Sequence, residues 1–448
     1  AGLQEFLLKN MRPIYVFDNL VKRSFKQADV NTVIVLIQRP KNKPDDYNLK
    51  FIAFKKPFED VSNAEVIKTI EKTNQPVFDN ENFRIYPKTK NELLLEGVEI
   101  PEEQENLLNF DPEHLPYIGN KWGGKYLRAP EIYFKILEKG KGKLVRLGDI
   151  AEVRRGFTTG ANEFFYLKPI GMSVKEVVEI GEKNPDTLIP VKNGAGWEGE
   201  IEARFLKPVI KSPRELKTIV VRLEDLSNLV FMCHEPKGKL SGTKALEYIK
   251  WGEMQSYQNR PTCRQRERWW NLGEQEISLC GYPMVNYDRL IVSHNGKFYN
   301  DANIVGIYPQ KSEYKNFLFT MILNSSFNMI YWELFGISNL GEGAIKQNPI
   351  YFKQFAIFNP LILDNLSISR MKEIFSNLAL RNVNSIFTEL GFDPSKPIRE
   401  QEPNPLPDRK ALDDIIFDAL GLTEDERKEV YWAVAELVKT RLEKARSV

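Results

Sequence analysis

The sequence predicts an α/β segment, then a mixed α+β domain, then a helical tail. Three observations carry that division. Near the N-terminus the unbroken apolar run Val33-Ile-Val-Leu-Ile37 has the pattern of a strand buried on both faces. Through the middle, short strand-type runs alternate with helical spacings and glycine turns, the signature of an α+β domain. Beyond residue 366 helical periodicity with marked start signals takes over. At 448 residues the chain is long enough for two or three domains with substantial cores.

The first part, residues 1–115, continues after Ile37 with Leu49-Lys-Phe-Ile-Ala-Phe54, a second strand. Ser62-Asn-Ala-Glu65 has capping-box spacing ahead of a helix whose apolar face is Val66, Ile67 and Ile70. From Asn91 to Leu115 there are eight acidic residues and no lysine or arginine, whereas Pro116 to Lys168 holds eleven basic and five acidic residues. That reversal sets the first boundary at 115/116, because a surface that meets nucleic acid needs Lys and Arg to displace counterions.

The second part, residues 116–365, enters through Gly119-Asn-Lys-Trp-Gly-Gly-Lys-Tyr126 into a helix at 130–138. Strand-like runs follow at 188–191, 209–210, 289–293 and 302–308, and a long helix at 315–332. In the third part, residues 366–448, Thr423-Glu-Asp-Glu426 is a capping box, and Val430, Val434, Leu437, Val438 and Leu442 share one helical face. The proline-rich Glu402-Pro-Asn-Pro-Leu-Pro407 separates the helices.

The most informative stretch runs from Leu144 to Tyr166. Leu147, Ile150 and Val153 recur at helical spacing, and Arg154-Arg155 then leads into Gly156-Phe-Thr-Thr-Gly160. Two glycines permit unusual backbone geometry, and Thr158, Thr159 and Asn162 supply small polar groups, so such a loop can approach a phosphate closely. The same residues also suit an ordinary glycine hairpin with two solvated arginines. Phe164-Phe-Tyr-Leu167 follows as a strand-type run.

A second signal is Arg260, Arg264, Arg266 and Arg268 with Trp269 and Trp270. Arginine grips guanine O6 and N7, or a phosphate, with two hydrogen bonds, and one such base contact is worth about 1 to 3 kcal/mol of discrimination. Paired tryptophans are more often core anchors than base-stacking platforms. Lys192 and Lys297 are candidate phosphate contacts, the latter after a hairpin signal at Asn295-Gly296. Gly341-Glu-Gly-Ala-Ile-Lys346 lacks Walker spacing; it reads as a turn presenting Lys346 and Gln347 to DNA, or as a purely structural loop. Three cysteines without a Cys-x-x-Cys pair argue against zinc and for a reducing compartment. With no run of eighteen apolar residues and no signal-peptide pattern, neither membrane insertion nor secretion is expected.

The segment from Leu144 to Leu167 resembles the repeated opening of type I restriction specificity subunits and the recognition domains fused to N6-adenine DNA methyltransferases. Upstream, Phe6-Leu-Leu-Lys-Asn10, Ile14-Tyr-Val-Phe17 and the run from Arg23 to Ile37 resemble the last two strands of the methyltransferase domain in such enzymes. Downstream, Arg264-Gln-Arg-Glu-Arg-Trp-Trp270, Gly341-Glu-Gly-Ala-Ile-Lys-Gln-Asn348 and the closing helix from Thr423 are similar as well, so most of the chain is covered. The resemblance implies that residues 1–115 end a Rossmann-like methyltransferase sheet with an acidic linker, that residues 116–365 form a DNA target-recognition domain, and that residues 366–448 are a helical C-terminal region.

It further implies a parent enzyme of a type II/IIG restriction-modification or phage-defence system that uses S-adenosylmethionine and flips out the target adenine. Such enzymes need an Asn/Asp-Pro-Pro-aromatic tetrapeptide. Here the Asn-Pro pairs at 184, 348, 359 and 404 are followed by Asp, Ile, Leu and Leu, and the chain begins Ala-Gly-Leu-Gln without methionine. The expectation is therefore a C-terminal portion with no catalytic residues, cofactor or metal of its own, inactive alone. Its expected partners are double-stranded DNA, the methyltransferase domain and a nuclease domain or subunit, in a prokaryotic cytoplasm. Phosphate grip falls to Arg154, Arg155, Lys192 and Lys297, loop approach to Thr158, Thr159 and Asn162, and base reading to Arg264, Arg266, Arg268, Lys346 and Gln347. A different class, a scaffold docking methyltransferase and nuclease subunits through the tail, stays open. That tail carries eleven acidic and eight basic residues from Gln401 to Val448, which makes it a poor DNA grip. A nuclease lacks a convincing Pro-Asp…Glu/Asp-x-Lys pattern.

Overall fold

The computed structural model describes residues 2–23, 32–42, 44–74, 77–98, 112–338 and 341–447. Residues 24–31, within the run read above from Arg23 to Ile37, and 99–111 of the acidic stretch lie outside the described residues. An α/β architecture with mixed sheets and C-terminal helices is seen.

The N-terminal sheet contains β1 (Arg12–Asn19), β2 (Val33–Gln38), β3 (Asn48–Phe54), β4 (Phe78–Asp79) and β5 (Phe83–Thr89), in the order β2-β1-β3-β5-β4. Only β1 and β3 run parallel. The central β3 is the strand covered on both faces: Leu49, Phe51 and Ala53 pack with Trp122 and Tyr126, while Ile52 and Phe54 pack with Ile70 and Phe83. The expectation for Val33–Ile37 is corrected. β2 lies at the sheet edge with Ile34 62% and Leu36 50% exposed. An apolar run states which strand tolerates cover on both faces, but the cover must come from a packed layer. The helix Ala64–Lys72 also starts one residue later than the capping box suggested, with Asn63 as its cap, accepting from the backbone of Glu65 and Val66.

The second sheet has six strands: β8 (Tyr166–Pro169), β9 (Leu188–Asn193), β10 (Glu198–Glu202), β11 (Leu206–Ile210), β12 (Leu229–Phe231) and β16 (Tyr299–Asn300), ordered β10-β9-β8-β12-β11-β16. It builds one hydrophobic core with the helix Lys244–Met254 and with Trp269 and Trp270. The third sheet joins β7 (Ala151–Arg155), β13 (Cys280–Pro283), β15 (Ser293–His294) and β17 (Ile304–Pro309), ordered β15-β13-β17-β7. Two short pairs complete the strands, β6 (Leu144–Arg146) with β19 (Ala356–Phe358), and β14 (Val285–Asn286) with β18 (Ile345–Lys346). The third sheet shares a continuous core with the helices Phe317–Leu323, Ser326–Phe335, Pro407–Leu420 and Glu424–Arg446.

Several local expectations shift for tertiary reasons. Leu147–Ile150 is one helical turn, after which Val153 turns inward from β7. Phe164 and Phe165 sit on another such turn, Asn162–Phe165, so β8 starts at Tyr166. Of residues 289–293 only Ser293 joins a strand, and Asn295-Gly296 does not close a hairpin, since β15 pairs with β13 and β16 with β11. The single helix expected at 315–332 is two. Asn324 folds its side chain onto the backbone of Val292, accepting at 3.0 Å and donating at 2.7 Å, and Asp413 receives the Ser326 amide and hydroxyl at 2.7 and 2.6 Å.

The last helix ties the parts together. Its Thr423–Glu426 capping box forms as the sequence implies. Arg441 meets the fully buried Glu333 through two 2.8 Å contacts, and Lys444 reaches Asp18 of β1 at 3.1 Å. Asp413 is also fully buried, and desolvation pushes its carboxyl up to about 6 from an ordinary 3.8, against the pull of Arg409 and the Ser326 donors. The proton is thus held more tightly in the folded chain. That advantage is complete below the unfolded value and is lost as pH rises through the folded one. Asp413→Asn does not titrate; its Oδ1 still accepts the Ser326 amide, while its Nδ2 donates to the Ser326 hydroxyl oxygen. Its stability relative to the parent should rise by about 2.4 kcal/mol between pH 4 and pH 7 in urea unfolding. A pH-independent difference would show that folding leaves the Asp413 carboxyl unshifted.

Candidate nucleic-acid interface

The glycine loop is fixed from behind. The amide of Gly156 donates to Ile304 at 2.9 Å and that of Phe157 to Asn300 at 3.0 Å. A Cβ on Gly156 would stand 2.0 Å from the Asn300 carbonyl oxygen, so no side chain fits. Gly160 has φ +79° and lies against Thr262, which explains the second glycine. The Thr159 hydroxyl bonds the Asn162 side chain and accepts the Ala161 amide at 3.2 Å.

The two strongest signals of the sequence meet here. Arg266 donates Nη1 to the Thr159 carbonyl at 2.8 Å and Nη2 to the Thr158 carbonyl at 2.7 Å, while lying over the Phe165 ring. Arg260 pairs with Glu163, and this contact is the first cause of the lowered Glu163 carboxyl. Cys263 points its thiol at the Thr159 carbonyl from the turn Pro261–Arg264. Guanidinium and carbonyls thus close a clamp on the loop.

What remains available differs residue by residue. Thr158, Asn162 and Arg264 are exposed beside the clamp, and Arg264 has no side-chain partner among the described residues. Lys192 is exposed and stands directly opposite Lys168 in the antiparallel β8–β9 pair, close to the loop through the Gly194–Glu163 backbone bond. Like charges placed so are destabilising unless an anion joins them, and Glu198 stands directly opposite Lys192 on its other side, in β10. Lys168 is a residue that inspection of the sequence missed; the strand register would have found it. Arg155 is exposed, with Nε on the Ala302 carbonyl at 3.0 Å. Arg154 lies over the Tyr308 ring and pairs with Glu276 at 2.7 Å and Glu152 at 3.3 Å. Such surface pairs are worth about 0 to 1 kcal/mol, so a phosphate can displace them at small cost.

The other candidates sit elsewhere or inward. Arg266 is committed to the loop, Thr159 is buried, and Arg268 is half-buried. Lys297 is exposed at the rim of a separate cavity of about 810 Å3 with Arg204, Lys207 and His294. Lys346 is half-buried on β18, and Gln347 is fully buried with its amide on the Trp332 carbonyl at 2.7 Å. Trp269 and Trp270 are buried, their N–H groups on Glu253 and on the Glu235 carbonyl. Burial raises all three cysteine thiols, Cys233 to about 11 and Cys280 to about 12. Among the described residues no group of three His, Cys, Asp or Glu is placed to hold a metal ion, and no helix is long and apolar enough to cross a membrane.

Comparison with solved structures aligns nearly the whole chain with two restriction enzymes. The type IIG restriction endonuclease BpuSI matches at 14% identity and TM-score 0.45, over 99% of this chain and 45% of that one. The type IIL restriction-modification enzyme MmeI, solved in complex with DNA, matches at 10% identity and TM-score 0.36, over 98% of this chain and 46% of that one. The chain spans less than half the length of either. Likeness at this level does not bear on function. No family model and no curated protein matches.

The clamp separates a structural arginine from a free one two residues away. Arg266→Gln should cost about 1.5 to 3 kcal/mol, because two charge-assisted bonds to carbonyls are lost, and should open the 156–160 loop to proteolysis. Arg264→Gln should leave urea stability within about 0.5 kcal/mol of the parent. Equal effects of the two would refute the division.

Proposed function

We propose that this chain is the DNA-recognition portion of an N6-adenine-specific methyltransferase of a restriction-modification or phage-defence system. The observation that carries the reading is the convergence of two cationic segments, distant in sequence, on one rigid glycine loop that leaves Thr158, Asn162, Arg264 and the Lys168–Lys192 pair exposed. A pre-ordered loop edged by uncommitted cations suits a duplex backbone, whose affinity comes mainly from phosphate contacts. The order of segments along the chain, which resembles that of recognition domains fused to adenine methyltransferases, supplies the class. In this reading S-adenosylmethionine and the catalytic groups belong to a methyltransferase domain outside this chain. The open, apolar edge of β2 is the surface on which that domain's sheet continues, and a nuclease domain or subunit completes the system.

The test is duplex binding by this chain across a salt series. Lys192→Gln should weaken all sequences alike and reduce the slope of log K against log salt by about 1, whereas Arg264→Gln should relax preference at one base position. Failure to retain any duplex at low salt would overturn the DNA reading and leave the docking role.

A further inference from the structure

A cleft of about 850 Å3 lies between the N-terminal sheet, residues 118–130 and the C-terminal helix. Six cations line it. Four have carboxylate partners: Lys55 with Asp79, Arg399 with Glu429 and Glu436, Arg441 with Glu333, and Lys444 with Asp18. The two acids of the lining, Asp18 and Glu436, are thereby already engaged. The remaining cations, Lys121 and Arg128, have no carboxylate partner among the described residues.

Their placement is built by the backbone. Residues Gly123–Arg128 form a π-helical turn, closed by the Ala129 amide on the Gly124 carbonyl at 2.8 Å, a geometry that recurs at functional sites. Gly124 lies so close to the end of the helix Ser326–Phe335 that a Cβ would stand 1.9 Å from the Leu334 oxygen. Among the described residues Arg128 reaches Ser338 Oγ at 3.5 Å and the Leu334 carbonyl at 3.3 Å, which uses two of its five donors. The Lys121 ammonium sits 3.8 Å from the centre of the Tyr351 ring. Burial first, and the Arg128 charge second, lower Lys121 to about 8. Lys121 and Arg128 are the lining cations without a direct carboxylate contact among the described residues, Glu333 and Asp18 acting on Arg128 only through space, and an arginine fork beside a lysine point charge suits a phosphate.

We propose that Lys121 and Arg128 form a seat for one phosphodiester of the DNA backbone, a second anchor in addition to the glycine-loop surface. This rests on the DNA reading above. The experiment measures duplex binding of the full chain against salt for the parent, Lys121→Gln, Lys121→Arg, Arg128→Gln and Arg264→Gln, with inorganic phosphate titrated calorimetrically alongside. Lys121→Gln and Arg128→Gln should each flatten the salt slope by about 0.9 and weaken all sequences alike, while Lys121→Arg keeps the parental slope. Parental slopes in both Gln variants, with Arg264→Gln still relaxing preference at one base position, overturn the seat and leave the DNA reading intact. If the parent binds no duplex, the DNA reading itself fails. Phosphate bound by the parent but not by the Gln variants then reassigns the seat to free phosphate, and no phosphate binding removes it altogether. Should circular dichroism show that Arg128→Gln is unfolded, Lys121→Gln decides alone.

Discussion

At Gly156 the chain passes from one hydrophobic core to the other, with Val153 in the first and Phe157 in the second. At Asn300–Asp301 it runs back toward β17. The two crossings lie side by side, pinned by the Phe157–Asn300 and Gly156–Ile304 backbone bonds, with no room for a side chain between them. This backbone contact is one of the links between the two cores, beside the Val221–His294 and His294–Ile219 backbone bonds at 2.9 and 2.7 Å. The glycine loop follows directly from it in the chain, and the 260–266 segment is braced on that loop.

Around that contact, charge is divided between holding and offering. Arg266 and Arg260 spend their donors on the loop and on Glu163, whereas Arg264, Lys168 and Lys192 keep theirs. The division matters because a charge-assisted bond to a backbone carbonyl, as Arg266 makes twice, is worth more than a solvated ion pair. Rigidity then comes from the engaged set and ligand attraction from the set without partners among the described residues. A protein that reads a rigid duplex benefits from both, since ordering a loop on binding would subtract from affinity.

Much of this was legible in the sequence and some was not, for identifiable reasons. The Thr423 cap was readable because it depends on neighbours within a few residues; the glycine loop and the arginine-rich segment were readable from their residue types, although Asn300, Thr262 and Arg266 hold the loop from far along the chain. The division of labour between Arg264 and Arg266 was not, since the carbonyls that select Arg266 are more than a hundred positions away. Nor could apolarity alone distinguish β3, covered on both faces, from β2, which lies bare at an edge. The break between the helices Phe317–Leu323 and Ser326–Phe335 carries no Gly or Pro; Val292 and Asp413 impose it from outside. Gln347, which reads as a polar turn residue, is fully buried because Trp332 offers its amide an acceptor.

The Glu424–Arg446 helix holds one more consequence. Arg441 and Lys444 are three positions apart, about 4.5 Å along the axis, and on the same side of the helix. Through them one turn sets the wall of the cleft against two different parts of the molecule, Glu333 and β1. Helix phase therefore acts as a ruler. Inserting a single residue between Val438 and Arg441 would rotate both cations by about 100° and advance them by about 1.5 Å, undoing both attachments while the apolar face up to Val438 stayed in register. Length variation in this turn would change the cleft far more than most point substitutions on its surface.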